Sequence, residues 1–260
     1  LLLAEDDDMF GDIMGRNFIA VQTLDEQEAV ARALSKYDFL ALPVVDTEER
    51  LVGIVTVDDA MDVLQEEVTE DIEKMAAILP SDKPYLKTST LETYKARIPW
   101  LLLLMISATF TGQIISSFED ALAAATILTA YIPMLMDTGG NCGSQASVTV
   151  IRGISLNEIE FSDIFRVIWK EIRVAVVCGA TLAAANFVKL MLVDRLLFHN
   201  AAMTIPVAAV ICCTMVCTVL CAKLVGCSLP LLAKKIGFDP AVMASPFIST
   251  IVDSLSLLIY

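Results

Sequence analysis

Residues 98–118 form an uninterrupted run of 21 residues without a charged side chain, IPWLLLLMISATFTGQIISSF. At 1.5 Å per residue, an α-helix of this length spans the hydrocarbon core of a bilayer, which is about 30 Å thick. A backbone inside hydrocarbon must satisfy its own hydrogen bonds, so only helices and closed barrels cross membranes. The run therefore predicts a transmembrane helix.

Four more apolar segments follow the first. Hydrophobic residues make up 56% of the chain and its mean hydropathy is +0.68, values typical of membrane proteins. We therefore predict an all-α membrane bundle of five transmembrane helices per subunit over residues 98–260. The predicted spans cover about 98–118, 121–138, 172–193, 201–225 and 241–260.

Charge divides the chain into two parts. Residues 1–98 carry 22 acidic and 9 basic side chains, a net charge of −13, whereas residues 99–260 carry 10 and 9, a net charge of −1. Binding to nucleic acid needs a basic surface, so nucleic acid is excluded as a partner. The acidic region either binds cations or is a solvated acidic surface.

The first part predicts a small α/β module. Its pattern predicts a strand, a helix, two further strands joined by a charged turn, and a second helix. This order resembles a CBS domain. The predicted elements are strands at 17–21, 40–46 and 51–57 and helices at 24–37 and from 58 to about 77.

The segment GIVTVDD at 53–59 is similar to the CBS sequence in which a threonine and a later aspartate hold a nucleotide ribose. The resemblance implies that Thr56 and Asp59 bind ATP, as an accessory ligand.

The second helix of this module carries two stripes at spacings of three and four residues. One is apolar and the other acidic, and like charges at i,i+4 destabilise a helix by about 0.2–0.5 kcal/mol per pair. A hard divalent cation with oxygen ligands would relieve this repulsion; the alternative is a solvated acidic face. The acidic stripe comprises Asp59, Asp62, Glu66, Glu70 and Glu73.

Basic residues predict the orientation of the spans, because lysine and arginine concentrate in cytoplasmic loops. They precede the first span and lie between spans two and three and between spans four and five. We therefore expect a multi-pass protein of the cell membrane, with the acidic module in the cytoplasm and the C-terminus on the outer side. The residues concerned are Lys95, Arg97, Arg152, Arg166, Lys170, Arg173, Lys234 and Lys235.

Asp253 lies near the middle of the last predicted span. An aspartate at the bilayer centre costs about 2.5–3.5 kcal/mol on insertion scales, and such residues face a water-filled path or a partner. We therefore predict that Asp253 faces a pore. The alternative is a protonated side chain that hydrogen-bonds between packed helices.

The segment DTGGNCGSQ at 137–145 places polar residues at membrane depth. Non-helical backbone is tolerated at that depth only where protein or water surrounds it. Gly139 and Gly140 favour a loosened helix. Its free backbone carbonyls, together with Asn141 and Gln145, would then offer oxygen ligands. A glycine-rich packing seam is the alternative. Ser245-Pro246 breaks the last span in a similar way, with Asp239 at its cytoplasmic entrance.

Three long segments resemble the MgtE family of magnesium channels. They are IPMLMDTGGNCGSQASVTVIRG (132–153), the run from LPLLAKKIGFDP to the C-terminus (229–260), and YDFLALPVVDTEERLVGIVTVDDAMDVLQEEVTEDIEKMAA (37–77). The resemblance implies a second CBS domain at 1–60, a connecting "plug" helix at 61–78, a linker at 79–97 and a pore domain at 98–260. The family's N-terminal domain and first CBS domain are expected to precede the chain's first residue.

The resemblance also implies a homodimer with one pore on its two-fold axis. Asp253 from each subunit would form the Mg²⁺ selectivity site, and Asp239 would bind ions at the cytoplasmic end. Mg²⁺ would thus be both the transported and the regulatory ion. The implied regulatory positions are Asp38, Asp59, Asp62, Glu67, Glu70 and Asp71.

These features predict a channel or transporter for Mg²⁺ that closes when cytosolic Mg²⁺ neutralises the acidic residues, and no enzymatic activity. One alternative is a channel for Co²⁺, Ni²⁺ or Ca²⁺, and a second is an adenine-nucleotide sensor coupled to another transporter. A third is an intramembrane aspartyl protease, since Asp137-Thr138-Gly139 spells DTG and Asp253 could be its partner. Against the protease, Asp137 is expected near the cytoplasmic end of span two and Asp253 at mid-span.

Overall fold

The computed structural model describes Met9, Gly15 and residues 18–81, 83–118, 123 and 126–260. These residues are mostly helical. The chain divides into two compact units, Leu1–Thr69 and Glu70–Tyr260.

The first unit has the predicted order of elements. A three-stranded sheet in the order β1-β2-β3 pairs β1 with β2 in parallel and β2 with β3 antiparallel. The predicted first strand, 17–21, begins outside the described residues, and only Val21–Gln22 pairs. The elements are β1 (Val21–Gln22), α1 (Gln27–Lys36), β2 (Ala41–Val45), β3 (Leu51–Thr56) and the start of α2 (Val57–Met75).

Local chemistry fixes the turn between β2 and β3. The carboxylate of Asp46 accepts hydrogen bonds from the backbone N–H groups of Glu48 and Arg50, both at 2.9 Å, as expected for an aspartate that opens a turn. The paired strands place apolar side chains on one face, and α1 packs there. The buried core of the unit comprises Val21, Val30, Ala31, Leu34, Leu42 and Ala60.

The long acidic helix α2, predicted from 58 to about 77, begins at Val57 and ends at Met75. At its start, the Asp59 carboxylate accepts hydrogen bonds from the backbone N–H and hydroxyl of Thr56, which caps the first turn. It ends before residue 77 because Ala77 has a left-handed backbone, with a φ of 56°, from which the helix cannot continue.

The second unit is a bundle of five long helices. Ser89 and Glu92 form the predicted capping box at the start of α3, and prolines occupy the first turns of α4, α6 and α7, where a missing N–H costs nothing. These helices are α3 (Thr90–Ser117), α4 (Ile132–Ser155), α5 (Ile164–Lys189), α6 (Ile205–Lys235) and α7 (Ser245–Ile259). A π-helix, Leu190–Leu197, continues α5, and a 3₁₀ turn, Pro240–Met243, precedes α7.

Four helical segments of the described chain are long and apolar enough to cross a membrane: Thr90–Ser117, Phe161–Leu197, Ile205–Lys235 and Pro240–Ile259. They coincide with four of the five predicted spans. The second predicted span, 121–138, begins outside the described residues; its described part has a turn at 130–131 and the start of a helix from Ile132 to Ser155. Half of this helix, α4, is buried within the protein, 12 of its 24 residues.

Helix α6 occupies the centre of the bundle, with Ile211, Val219 and Ala222 fully buried. Glycines bring α4 against it: a Cβ added at Gly226 would lie 2.2 Å from the carbonyl oxygen of Gly143. Helix α3, in contrast, contributes no buried residue and exposes its apolar side chains. Such a surface suits contact with lipid or with another apolar surface.

The contact between Gly226 and Gly143 gives a test of this packing. A methyl group at Gly226 forces α4 and α6 apart, and such overpacking costs about 1–3 kcal/mol. We expect Gly226→Ala to lower the thermal unfolding midpoint of the detergent-solubilised protein by several degrees. Gly112→Ala is the matched control, because a Cβ there meets no atom within 4 Å. Equal midpoints for the two variants would contradict the close approach of the helices.

Candidate cation site

Helices α4 and α7, with Ile115 of α3, line an open cavity of about 480 Å³ with Asp253 at its wall. Two residues of α7 line it, Ser249 and Asp253, which are four positions apart and share one helix face. A stripe of α4 lines the opposite side. The remaining lining residues are Ile115 of α3 and Ile132, Pro133, Met136, Asp137, Gly140 and Asn141 of α4.

The packing of α7 explains why Asp253 faces this cavity. Its buried face consists of Ile248, Val252 and Ser256, of which at most 2% is exposed. Gly139 and Gly143 of α4 provide the space for that face: a Cβ at Gly139 would lie 2.9 Å from Val252, and one at Gly143 would lie 2.8 Å from Ile248. Asp253 directly follows Val252 in the helix, so its side chain points about 100° away from that buried face. This rotation turns Asp253 towards the cavity.

The carboxylate of Asp253 is half-buried, and no described residue hydrogen-bonds to it. Asp137 and Asn141 line the same cavity and bring a second carboxylate and an amide oxygen. Oxygen ligands of this kind suit hard cations such as Mg²⁺.

The described residues contain no group of three or more His, Cys, Asp or Glu side chains arranged to hold a metal ion. Within one chain, the Asp253 cavity thus offers two carboxylates and the neutral oxygens of Asn141 and Ser249. That set is smaller than a fully protein-ligated Mg²⁺ requires. It fits an ion that keeps most of its water, as Mg²⁺ usually does.

The predicted loosening of the helix at 137–145 is wrong. Helix α4 is continuous from Ile132 to Ser155, so the backbone carbonyls of Gly139 and Gly140 belong to a helix. Gly139 lies against Thr218 and Val252, where a Cβ would be 2.6 Å from a Thr218 methyl carbon. Gly140 and Asn141 line the cavity, whereas Gln145 does not. The glycines form the packing seam that was the alternative.

Asp239 is paired with a lysine. Its Oδ2 accepts a hydrogen bond from Lys74 Nζ at 2.7 Å, and its Oδ1 accepts one from the backbone N–H of Ala241 at 2.8 Å. Lys74 Nζ also lies 2.5 Å from Glu70 Oε1. Burial opposes the charge on Lys74, but the hydrogen bonds to Asp239 and Glu70 outweigh it and raise the pKa of Lys74.

Two further contacts join the end of α2 to the bundle. Ser155 Oγ donates a hydrogen bond to Asp71 Oδ2 at 3.4 Å, and Met75 packs on Ile151, Ala241 and Ala244. The last turns of α2 therefore contact the C-terminal end of α4 and the turn that leads into α7. These are the two helices that carry the carboxylates of the cavity.

The other predicted regulatory residues lie in the first unit. Asp38 is exposed and has a left-handed backbone, with a φ of 54°, and Asp62 is also exposed. Glu67 Oε1 accepts a hydrogen bond from Gln27 Nε2 at 3.2 Å. The hydroxyl and N–H of Thr56 lower the pKa of Asp59 by stabilising its charged form, so the two predicted ribose ligands bond to each other.

The predicted separation in depth between Asp137 and Asp253 is wrong, because both residues line one cavity. The sequence contained the signal, since Asp137 and Asn141 are four residues apart and share a helix face.

Four helices that are long and apolar enough to cross a membrane, in a chain that also has a small α/β unit, define a multi-pass membrane protein. Residues 132–260 match the MgtE family, described as divalent cation transporters, and residues 10–66 match the CBS domain. Residues 132–260 of the chain are therefore an MgtE-family domain.

Three relatives align with the whole of the chain, and each is a magnesium transporter MgtE. Identity over 260 residues is 38% for the protein of Thermus thermophilus, 35% for that of Enterococcus faecalis and 38% for that of Bacillus subtilis. The chain spans about half the length of these relatives, 56%, 55% and 55% respectively.

A double-mutant cycle tests the contact between Lys74 and Asp239. The pair is only partly exposed, so we expect a coupling energy of about 1 kcal/mol from the thermal stabilities of Lys74→Gln, Asp239→Asn and the double variant. The control cycle uses Arg166 and Asp163, whose arginine is 88% exposed and whose coupling should be near zero. Equal coupling in both cycles would contradict the docking of α2.

Proposed function

We propose that this chain belongs to a Mg²⁺-selective channel or transporter, which admits Mg²⁺ down the membrane potential and closes when cytosolic Mg²⁺ is high. The observation that carries the proposal is the pair of carboxylates, Asp137 and Asp253, that line one cavity of the membrane bundle. The match of residues 132–260 to a family described as divalent cation transporters supports the same class of cargo.

The number of ligands supports a homodimer. One chain supplies two carboxylates to the cavity, and a two-fold axis beside Asp253 would double that number around a hydrated ion. Selectivity would then arise from the width of the pore and the charge of the ring rather than from removal of the ion's water. Helix α3 and the outer part of α7 offer the apolar surface for such pairing or for lipid.

The membrane potential suffices to drive uptake. A divalent ion that moves inward across 100 mV gains about 4.6 kcal/mol, twice the value for a single charge. This direction requires the acidic first unit in the cytoplasm and the C-terminus outside, which agrees with the distribution of lysine and arginine. The cell membrane is the expected location.

We assign gating to the acidic residues of the first unit and α2. At low cytosolic Mg²⁺ their mutual repulsion favours an arrangement in which the end of α2 leaves the bundle. At high Mg²⁺ the bound ions neutralise them and favour the docked arrangement described above, a shift that follows from tighter ion binding to one state. The residues proposed as ligands are Asp38, Asp59, Asp62, Glu67, Glu70 and Asp71.

Other divalent ions remain a second candidate cargo. The family description names divalent cations rather than Mg²⁺, and carboxylates also bind Co²⁺, Ni²⁺ and Ca²⁺. A flux assay in vesicles with a panel of these ions separates the candidates. ATP binding at Thr56 and Asp59 stays a prediction, which calorimetry on the whole chain would test.

Removal of the Asp253 charge tests the proposed pathway. We expect Asp253→Asn to reduce Mg²⁺ flux into vesicles at least about ten-fold, because the ring loses its attraction for the ion. Asp137→Asn should reduce it too, since its carboxylate lines the same cavity. Asp163→Asn, outside the cavity, is the control and should transport normally. Undiminished flux through Asp253→Asn would reject the pathway.

Removal of acidic residues from α2 tests the proposed gating. We expect the triple variant Glu67→Gln, Glu70→Gln, Asp71→Asn to need roughly ten-fold more Mg²⁺ on the cytosolic side for half-maximal closure, since the ligands that favour the closed state are lost. Glu48→Gln with Glu49→Gln neutralises the exposed β2–β3 turn and serves as the control. The same Mg²⁺ dependence in both variants would refute the assignment.

A further inference from the structure

A second groove, of about 520 Å³, lies at the N-terminal end of α3 and shares no lining residue with the Asp253 cavity. The short 3₁₀ turn Tyr85–Lys87 forms one wall, and the first turns of α3 form the other. We propose that this groove binds an anionic phospholipid, with Arg97 on its phosphate and Ile98 and Leu101 along an acyl chain.

The charge around the groove complements such a lipid. Residues 83–97 contain four basic side chains and one acidic one, a local charge of +3 (4 − 1), within a chain of net charge −14. Lys83 already pairs with Glu92, at 2.5 Å. None of the described carboxylates pairs with Arg97, so its guanidinium is available to a phosphate, which it can bind through two parallel hydrogen bonds.

The position of the groove along α3 favours a lipid over a free phosphate. Arg97 directly precedes the uncharged run 98–118, so it lies at the level of the lipid headgroups. Tyr85 and Tyr94, 76% and 56% exposed, line the groove at the level where aromatic residues concentrate in membrane proteins. Leu101, one turn deeper, is 58% exposed and continues the groove as an apolar surface.

The orientation proposed above places this end of α3 at the cytoplasmic leaflet, where anionic lipids are enriched. The assignment of the groove to the cytoplasmic leaflet therefore rests on the proposed function. The chemistry of the groove does not, and it can be tested in vesicles that carry the anionic lipid in both leaflets.

Trp100 provides a reporter beside the groove. The chain has two tryptophans, so Trp169→Phe leaves Trp100 as the only one. In phosphatidylcholine vesicles, we expect brominated phosphatidylglycerol to quench Trp100 more strongly than brominated phosphatidylcholine at equal mole fraction. The expected preference is roughly five-fold, which corresponds to about 1 kcal/mol for one basic side chain at the surface.

Variants then assign the preference to Arg97. Arg97→Gln should bring the two lipids to equal quenching, Arg97→Lys should retain part of the preference, and Arg166→Gln, at an exposed arginine outside the groove, should leave it unchanged. The lipid preference measured with Arg97 in place tests the proposal by itself, so the proposal can fail even if one of the Arg97 variants does not fold.

Three results would overturn the proposal. Equal quenching by both lipids, or a preference that survives Arg97→Gln, would show that the groove does not select anionic lipid. Loss of the preference on addition of inorganic phosphate would show a site for free anions. Failure of either brominated lipid to quench Trp100 would show that a second copy of the chain covers the groove.

Discussion

A charged carboxylate is unstable in hydrocarbon, and the packing of the bundle places Asp253 at the cavity that Asp137 and Asn141 also line. Close packing of three helices produces this arrangement. Gly139 and Gly143 admit the apolar face of α7 against α4, and Gly226 admits α4 against α6. With that face fixed, Asp253 must point into the cavity. The glycines therefore position the proposed ion site through their packing.

Helices α4 and α7, which line the cavity, also connect it to the acidic helix α2. Lys74, Asp71 and Met75 of α2 contact the end of α4 and the turn before α7. A change in the position of α2 would thus act on both walls of the cavity at once. Because Lys74 is a cation held on Asp239, the docked arrangement satisfies that carboxylate without a metal ion. An ion at Asp239 would have to displace Lys74.

Local sequence patterns predicted most of the fold. The errors arose where contacts between residues far apart in sequence determine the structure. The uncharged run, the capping box at Ser89 and the order of strands all depend on neighbours in sequence. A glycine pair at 139–140 indicates either a loosened helix or a packing seam, and the choice depends on Thr218 and Val252. Ion binding by Asp239 stays a prediction, and no local pattern indicated its pairing with Lys74, 165 positions away.

Anomalous diffraction from crystals soaked in Mn²⁺, a scatterer of the same charge that accepts the same oxygen ligands, tests the central claim most directly. If a cation binds at the membrane carboxylates, an anomalous peak should appear in the cavity between α4 and α7. It should lie close enough to Asp253 for contact directly or through one water. The peak should vanish in Asp253→Asn crystals. Peaks confined to the acidic residues of the first unit and α2, with none in the cavity, would contradict the account.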